Sequence, residues 1–373
     1  MKPKVLHVIK SLHLGGAETN LRNLLTVFDR SRFEHHVAYA AGGELEAEFQ
    51  ALPDVRLFRY SSVAARMSSP RSAWIVRRLW AYLRRNGIRI VHTHTFNGHF
   101  WGVFAAKLAG ARVVEHVHDF RYIEPEEVAR RHGYSNLSRY IGVFQGLSDR
   151  VLVLTAQNEE FLLKKGAYPR SKIRRSYNGV PPFRAVDRAA ARRRLGLGAD
   201  DPVVLTAARL AGEKNLGVVL KTAEKLKARV PAAVFLIAGS GPLLESARAQ
   251  APANVRFLGF QPGMPDLLAA ADVFFLPSFL ELHSIALLEA MSAGLPAVIS
   301  SGVGCHEEFI VDWENGVLLD PFCEAGWAEA VERLLGDEPL RRRIGENAKA
   351  LCGERFSLAS AARRIESIYE ELL

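Results

Sequence analysis

Cysteine is scarce. Cys305, Cys323 and Cys352 are the three in 373 residues, an odd number without metal-ligand spacing. That argues against a disulfide framework or a structural zinc site and suits a reducing cytoplasm. No apolar run approaches the ~18–20 residues of a membrane span. At the start, Lys2, Lys4 and Lys10 interrupt the apolar sequence where a secretory leader would need its h-region. A cytoplasmic protein is therefore expected. Short-period repeats and low-complexity tracts are also missing, which sets aside solenoids and disordered tails. What is present is an ordinary globular composition, 49% hydrophobic, long enough to bury two α/β cores.

Short β-rich runs alternate with helical patterns. Lys4–Ile9 reads as a strand, followed by a Gly-Gly turn and a helix with Leu21, Leu24, Leu25 and Phe28 on one face. His35–Tyr39, Ile88–His92, Arg112–His116 and Arg150–Leu154 read as further strands. Tyr177–Pro182 then breaks the pattern with strong turn chemistry. A second series runs through Pro202–Thr206, Val234–Ala238, Val255–Gly259, Asp272–Leu276 and Ala297–Ser300. Alternation of this kind predicts parallel sheets with helices on both faces. Two such series predict an α/β protein of two Rossmann-like domains facing a cleft. The expected bounds are 1–180 and 181–355, with a closing helix over 356–373 that packs back toward the first domain.

Charge is unevenly divided. Residues 1–180 hold 28 Lys and Arg against 15 Asp and Glu, about +13, which leaves about −4 for the rest. Much of the excess lies in Arg71–Arg89, where Trp74, Ile75, Leu79, Trp80, Tyr82 and Leu83 alternate with Arg77, Arg78, Arg84 and Arg85. A basic helix with aromatics suits an anionic membrane surface. The plain alternative is a core-facing helix with solvated arginines. A nucleic-acid role is disfavoured, because no recognised binding module accompanies the charge.

The most informative stretch is Pro277–Met291, which carries Glu281 and Glu289 eight positions apart. Glu281 falls in the loop after a buried strand, and Glu289 falls inside the following helix. Ser284 is the expected N-cap of that helix, with Gly294 and Pro296 as its stop. The free amides at the helix start face the same crevice, suited to an anion such as a diphosphate. Alone, the pair reads as two solvated acids. A histidine group, His92, His94, His99, His116 and His118, is a second candidate, since alternate strand positions share a face. It matches no known ligand signature, so packed or strand-end histidines are expected and no metal is assigned.

Further motifs accompany the acids in order: Gly15-Gly16-Ala17-Glu18, His118-Asp119, Asn178-Gly179-Val180, Arg209 and Lys214 five apart, and Gly239-Ser240-Gly241 after a strand. Together these resemble the retaining, GT-B fold glycosyltransferases of family four, over essentially the full length. The resemblance implies a hexosyl transfer from a nucleotide sugar, UDP expected ahead of GDP, with no cofactor. It implies that Glu289 holds the ribose hydroxyls, that Glu281 holds the donor-sugar hydroxyls, and that His118 lies across the cleft near the sugar and acceptor. Arg209 and Lys214 would neutralise the departing diphosphate in place of a metal, since no acidic metal-binding motif appears. Gly15 and Gly16 would let the backbone approach the phosphates. Gly239, Gly241, Leu258, Gly259, His283, Ser284 and Ile285 complete the expected donor site, with base recognition near Phe257–Gln261.

Two departures stand out. Leu282-His283-Ser284 replaces the family's usual Gly-Phe-Gly, so larger side chains are expected to reshape the donor-sugar pocket, with His283 adding a polar group. Gly304-Cys305 stands where Gly-Gly is common, before Glu308-Phe309-Ile310. The expected acceptor is a lipid-linked or polysaccharide precursor of the cell envelope, at the cytoplasmic membrane face. Two alternatives stay open: a same-fold enzyme on a soluble substrate, such as a sugar-phosphate glycosyl synthase or sugar-nucleotide epimerase, and a catalytically silent sugar-nucleotide-binding subunit.

Overall fold

The computed structural model describes residues 2–13, 15–61, 71–118, 146–261 and 263–373, with Phe96 and Asn97 in backbone alone. The chain divides into two compact units, Met1–Gly179 with Leu358–Leu373, and Val180–Ser357.

Among its described residues the first unit holds seven strands: β1 Lys4–Val8, β2 Glu34–Tyr39, β3 Val55–Arg59, β4 Ile88–His94, β5 Arg112–Val117, β6 Arg150–Val153 and β7 Ile173–Arg175. All are parallel, in the order β3-β2-β1-β4-β5-β6-β7. The inner strands are buried almost throughout because helices cover both faces, as parallel sheets require. Leu21, Leu24 and Leu25 of the helix Gly16–Leu25 enter the core beside Phe28. Leu358, Ala361, Ile365 and Tyr369 of the closing helix Leu358–Glu370 join the same core. The helix Arg71–Asn86 buries Ile75, Leu79 and Leu83 at i, i+4 and i+8, and turns Trp74 and Trp80 outward.

The second unit is a sheet of six parallel strands: β8 Val203–Ala207, β9 Val234–Ala238, β10 Val255–Gly259, β11 Val273–Leu276, β12 Ala297–Ser300 and β13 Val317–Leu319. Their order is β10-β9-β8-β11-β12-β13. After β11, the Ser284 hydroxyl caps the helix Ile285–Ala293 by accepting from Leu287 N at 3.3 Å, and Gly294 ends it at φ +79°.

Three strands, β3, β7 and β13, go beyond what the hydrophobic pattern predicts. Each is an edge strand of five residues or fewer. One side of an edge strand lacks a neighbour, so it needs no long apolar run and leaves a weak signal. In both sheets the strand order reverses, between β1 and β4 and between β8 and β11. The loops leaving the C-terminal strand ends diverge there, which is where such sheets make room for ligands.

Candidate active site

In the second unit the reversal point is occupied by charge. The loop after β8 carries Arg209, a short 3₁₀ turn Gly212–Lys214, and Asn215 in the left-handed region at φ +51°. Asn215 Nδ2 donates to Pro321 O at 3.1 Å and anchors the turn before the helix Leu216–Arg229. Lys214 Nζ then lies 2.6 Å from Glu281 Oε1 in the loop after β11, and Ser278 Oγ donates to the same oxygen at 3.1 Å. Arg209 pairs with the buried Glu213 while its own side chain stays 58% exposed. Phe279 N donates to Glu213 O at 2.7 Å and ties the two loops together. The fold thus brings Arg209, Lys214 and Glu281 to one edge, with Glu289 half-buried on the helix that follows.

The glycine turn after β9 supports that edge. A Cβ at Gly239, whose φ is +141°, would lie 1.9 Å from Ala208 O, so glycine is required there by the protein itself. A Cβ at Gly241 would lie 2.4 Å from Leu210 O. Leu210 N donates to Ser240 O at 2.9 Å, and Gly239 N donates to Gly259 O at 2.7 Å. Gln261 Nε2 donates to Leu258 O at 2.7 Å, closing the turn after β10.

Against expectation, His283 does not present a polar side chain on its loop. Its ring sits edge-on to Phe309 and Phe356, at 5.6 and 5.0 Å between centroids, and Leu282 is likewise buried. The larger residues of Leu282-His283-Ser284 therefore fill the core beneath the loop. Gly304, at φ +60°, closes onto this loop so tightly that a Cβ would lie 2.4 Å from Glu281 O. Cys305 donates to Leu282 O from both its N, at 3.3 Å, and its Sγ, at 3.0 Å, and burial pushes its thiol pKa up. Sequence reasoning missed this brace, since a lone cysteine reads as a small apolar residue. It also missed His306, fully buried, whose Nδ1 meets Ser300 O at 2.7 Å and whose pKa burial lowers.

In the first unit, Gly15 caps the helix Gly16–Leu25 in extended backbone. Among the described residues, a Cβ at Gly16 would meet nothing within 4 Å, and at Gly15 only the movable Glu18 side chain. His118 is half-buried at the end of β5, while Asp119 lies outside the described residues. The histidine group is larger than the sequence suggested, because neighbouring strands add His7 from β1 and His35 from β2. His7, His35, His92, His94, His99 and His116 are all buried. Burial lowers the pKa of His7 and His99 to about 3, and holds His35, His92, His94 and His116 well below the usual imidazole range. His7, His92 and His94, and again His94, His116 and His118, each bring three ligand atoms within 4.8 Å of one another. A surface hollow of about 410 Å³, lined by Arg89, Lys107 and Arg112, opens at the N-terminal edge of β4 and β5, opposite the strand ends that carry this unit's candidate residues.

Residues 187–351 match the family profile described as Glycosyl transferases group 1, and residues 14–184 match Glycosyltransferase Family 4. The chain is 29% identical to an alpha-D-kanosaminyltransferase of Streptomyces kanamyceticus, over 80% of this chain and 81% of that protein. It is 24% identical to the UDP-Gal:alpha-D-GlcNAc-diphosphoundecaprenol alpha-1,3-galactosyltransferase of Escherichia coli, over 100% and 98%. Anabaena Alr3699/HepE, solved in complex with UDP and glucose, shares the fold at a TM-score of 0.85 and 21% identity, each chain covered to 99%.

Proposed function

Because the chain belongs to the glycosyltransferases of group 1 and family 4, with their GT-B fold of two Rossmann-like units, we propose that it moves a hexosyl group from a UDP-sugar to a lipid-linked or polysaccharide precursor, with retention and without a metal. The observation that carries this reading is the Lys214–Glu281 pair beside Arg209 at the reversal point of the second sheet. Both cations hold carboxylates, Arg209 with Glu213 and Lys214 with Glu281. An arriving diphosphate competes for them as a doubly charged partner, and this releases Glu281 to accept hydrogen bonds from sugar hydroxyls. As the anomeric C–O bond breaks, its electron pair passes to the β-phosphate oxygen, where Lys214 and Arg209 offset the growing charge. The acceptor hydroxyl attacks the same face and gives its proton to the departing phosphate. Glu289 takes the ribose, and the turns at Gly239, Gly241, Leu258 and Gly259, with the backbone of His283, Ser284 and Ile285, line the rest of the donor site.

The relative named for a diphosphoundecaprenol acceptor supports a lipid-anchored acceptor. So does the outward face of the helix Arg71–Asn86, where Trp74 and Trp80 are exposed beside Arg77, Arg84 and Arg85. No helix among the described residues is long and apolar enough to cross a membrane, so contact with the inner leaflet is peripheral in this reading. The test is a donor panel read by thermal shift. A UDP-sugar at ~100 times its dissociation constant adds ~2.7 kcal/mol, whereas GDP-sugars leave the transition unmoved. Transfer with that donor persists after exhaustive chelation. Stabilisation by no nucleotide sugar, or activity restored only by an added divalent ion, overturns the reading.

A further inference from the structure

Four histidines of the first unit stand in line. His35 Nδ1 meets His7 Nε2 at 3.0 Å, His7 Nδ1 meets His94 Nε2 at 3.2 Å, and His94 Nδ1 meets His118 Nε2 at 3.4 Å. Every contact joins the Nδ1 of one ring to the Nε2 of the next. The ring centres are 5.3, 5.4 and 5.5 Å apart, with interplanar angles of 23°, 29° and 20°. In each pair the centre separation exceeds the N···N distance by about one ring width, so the nitrogens face each other along the line of centres. That is the geometry of an N–H···N bond. A metal bound to both nitrogens at the ~2.0 Å of a zinc–imidazole bond would have to sit off that line, roughly 30–40° from each lone-pair direction.

A neutral imidazole carries one proton on one of its two nitrogens. In a head-to-tail chain that rule propagates: if one ring donates from Nδ1, its neighbour accepts at Nε2 and must itself donate from Nδ1. Two states satisfy all three bonds, every ring protonated at Nδ1 or every ring at Nε2. The buried end decides between them. His35 Nε2 has no hydrogen-bond partner among the described residues, and its ring stacks on Phe28 at 4.6 Å and 10°. The Nε2 state would leave an N–H unbonded in that apolar pocket, whereas the Nδ1 state leaves only a lone pair. Orphaned buried N–H groups are the rarer and costlier of the two.

We infer that His35, His7 and His94 are positioning residues that lock His118 in its Nδ1–H tautomer, so that at the end of β5 it presents a neutral hydrogen-bond donor and its Nε2 is engaged by the chain. The depressed pKa values of His7, His35 and His94 agree, since a neutral chain is what burial enforces. The consequence for transfer rests on the proposed place of His118 beside the sugar and acceptor; the tautomer itself does not. A donor there orients an oxygen of the acceptor or sugar and takes no proton from it, which leaves the phosphate as the base.

Long-range ¹H–¹⁵N correlation on protein labelled at histidine reads the tautomer directly, with His118→Asn assigning the signal. The expected wild-type spectrum shows His118 protonated at Nδ1 alone. His7→Phe keeps a ring of similar shape but removes both nitrogens from the middle of the chain. It is expected to give His118 a mixed tautomer and to lower kcat about tenfold, with KM for the donor within twofold. An Nε2–H signal for His118 in the wild type overturns the lock, as does an unchanged Nδ1–H signal in a folded His7→Phe variant. A ligand-field spectrum on adding Co²⁺, lost in His94→Gln, overturns it in favour of a metal site. A mixed tautomer with unchanged kcat keeps the lock and instead removes His118 from the transfer.

Discussion

The two units repeat one topology and fill its reversal point with opposite chemistry. At the β8–β11 edge, Arg209 pairs with Glu213 and Lys214 with Glu281. At the β1–β4 edge the strands carry rings that burial keeps neutral. A parallel sheet therefore decides where a site can form, and the side chains on four or five loop and strand-end positions decide what it does.

The contrast is sharpest in acid. A histidine whose folded pKa lies below its unfolded value of ~6.5 takes up protons more readily when unfolded. Its contribution is intact above pH ~6.5 and is lost as pH falls from there toward the folded value, at ~1.4 kcal/mol per pH unit for each ring. Among the described residues the first unit holds seven such buried rings, His7, His35, His36, His92, His94, His99 and His116; the second holds His306. Their joint loss, several kcal/mol per pH unit, is on the scale of a whole domain's 5–15 kcal/mol. The first unit is expected to open within about two pH units below 6.5 while the second stays protected. Hydrogen exchange at stepped pH, resolved by unit, measures this, and a common midpoint would break the comparison.

Next in size is the charged edge. Lys214→Ala and Arg209→Ala are each expected to lower turnover at least ~100-fold. Each change also takes the cation from a buried carboxylate, Glu281 or Glu213, and should cost about 1–3 kcal/mol of stability. Assay and thermal melt of both variants decide the point; near-normal turnover in either folded variant refutes the clamp.

The glycines offer a smaller and cleaner test. Gly239→Ala forces a Cβ against Ala208 O in a left-handed backbone and should destabilise by about 1–3 kcal/mol. Gly16→Ala meets no atom of the described residues and should leave stability within ~0.5 kcal/mol, yet weaken donor binding if a phosphate approaches there. Equal losses of stability would erase the distinction between a glycine the fold needs and one a ligand needs.

The smallest effect concerns the basic face. The protein is expected to co-sediment with anionic but not zwitterionic liposomes, and to be released by ~0.5 M salt. Arg77, Arg84 and Arg85 changed to Gln should each weaken binding by ~1 kcal/mol without altering donor affinity. Arg78 should contribute less, because it donates to Tyr60 O at 3.0 Å and lies over the Trp74 ring at 4.8 Å. Equal partitioning onto both liposomes, or onto neither, favours a soluble acceptor.

Local chemistry made much of this molecule legible in advance. Inner strands are buried on both faces, so they announce themselves as apolar runs, and Ser284 with Gly294 marks its helix through capping alone. The order of Gly15-Gly16, Arg209, Lys214, Glu281 and Glu289 is likewise written along the chain. The short edge strands β3, β7 and β13 leave no such mark, although β10, also at an edge, does. Nor can spacing reveal that Lys214 and Glu281, 67 positions apart, share a bond, or that Cys305 braces the Leu282 carbonyl from 23 positions away. His35, His7, His94 and His118 come from four strands, and only their parallel packing in the order β2-β1-β4-β5 sets the rings end to end. Sequence determines what depends on neighbours along the chain, while contacts between loops and strands wait on the sheet that brings them within reach.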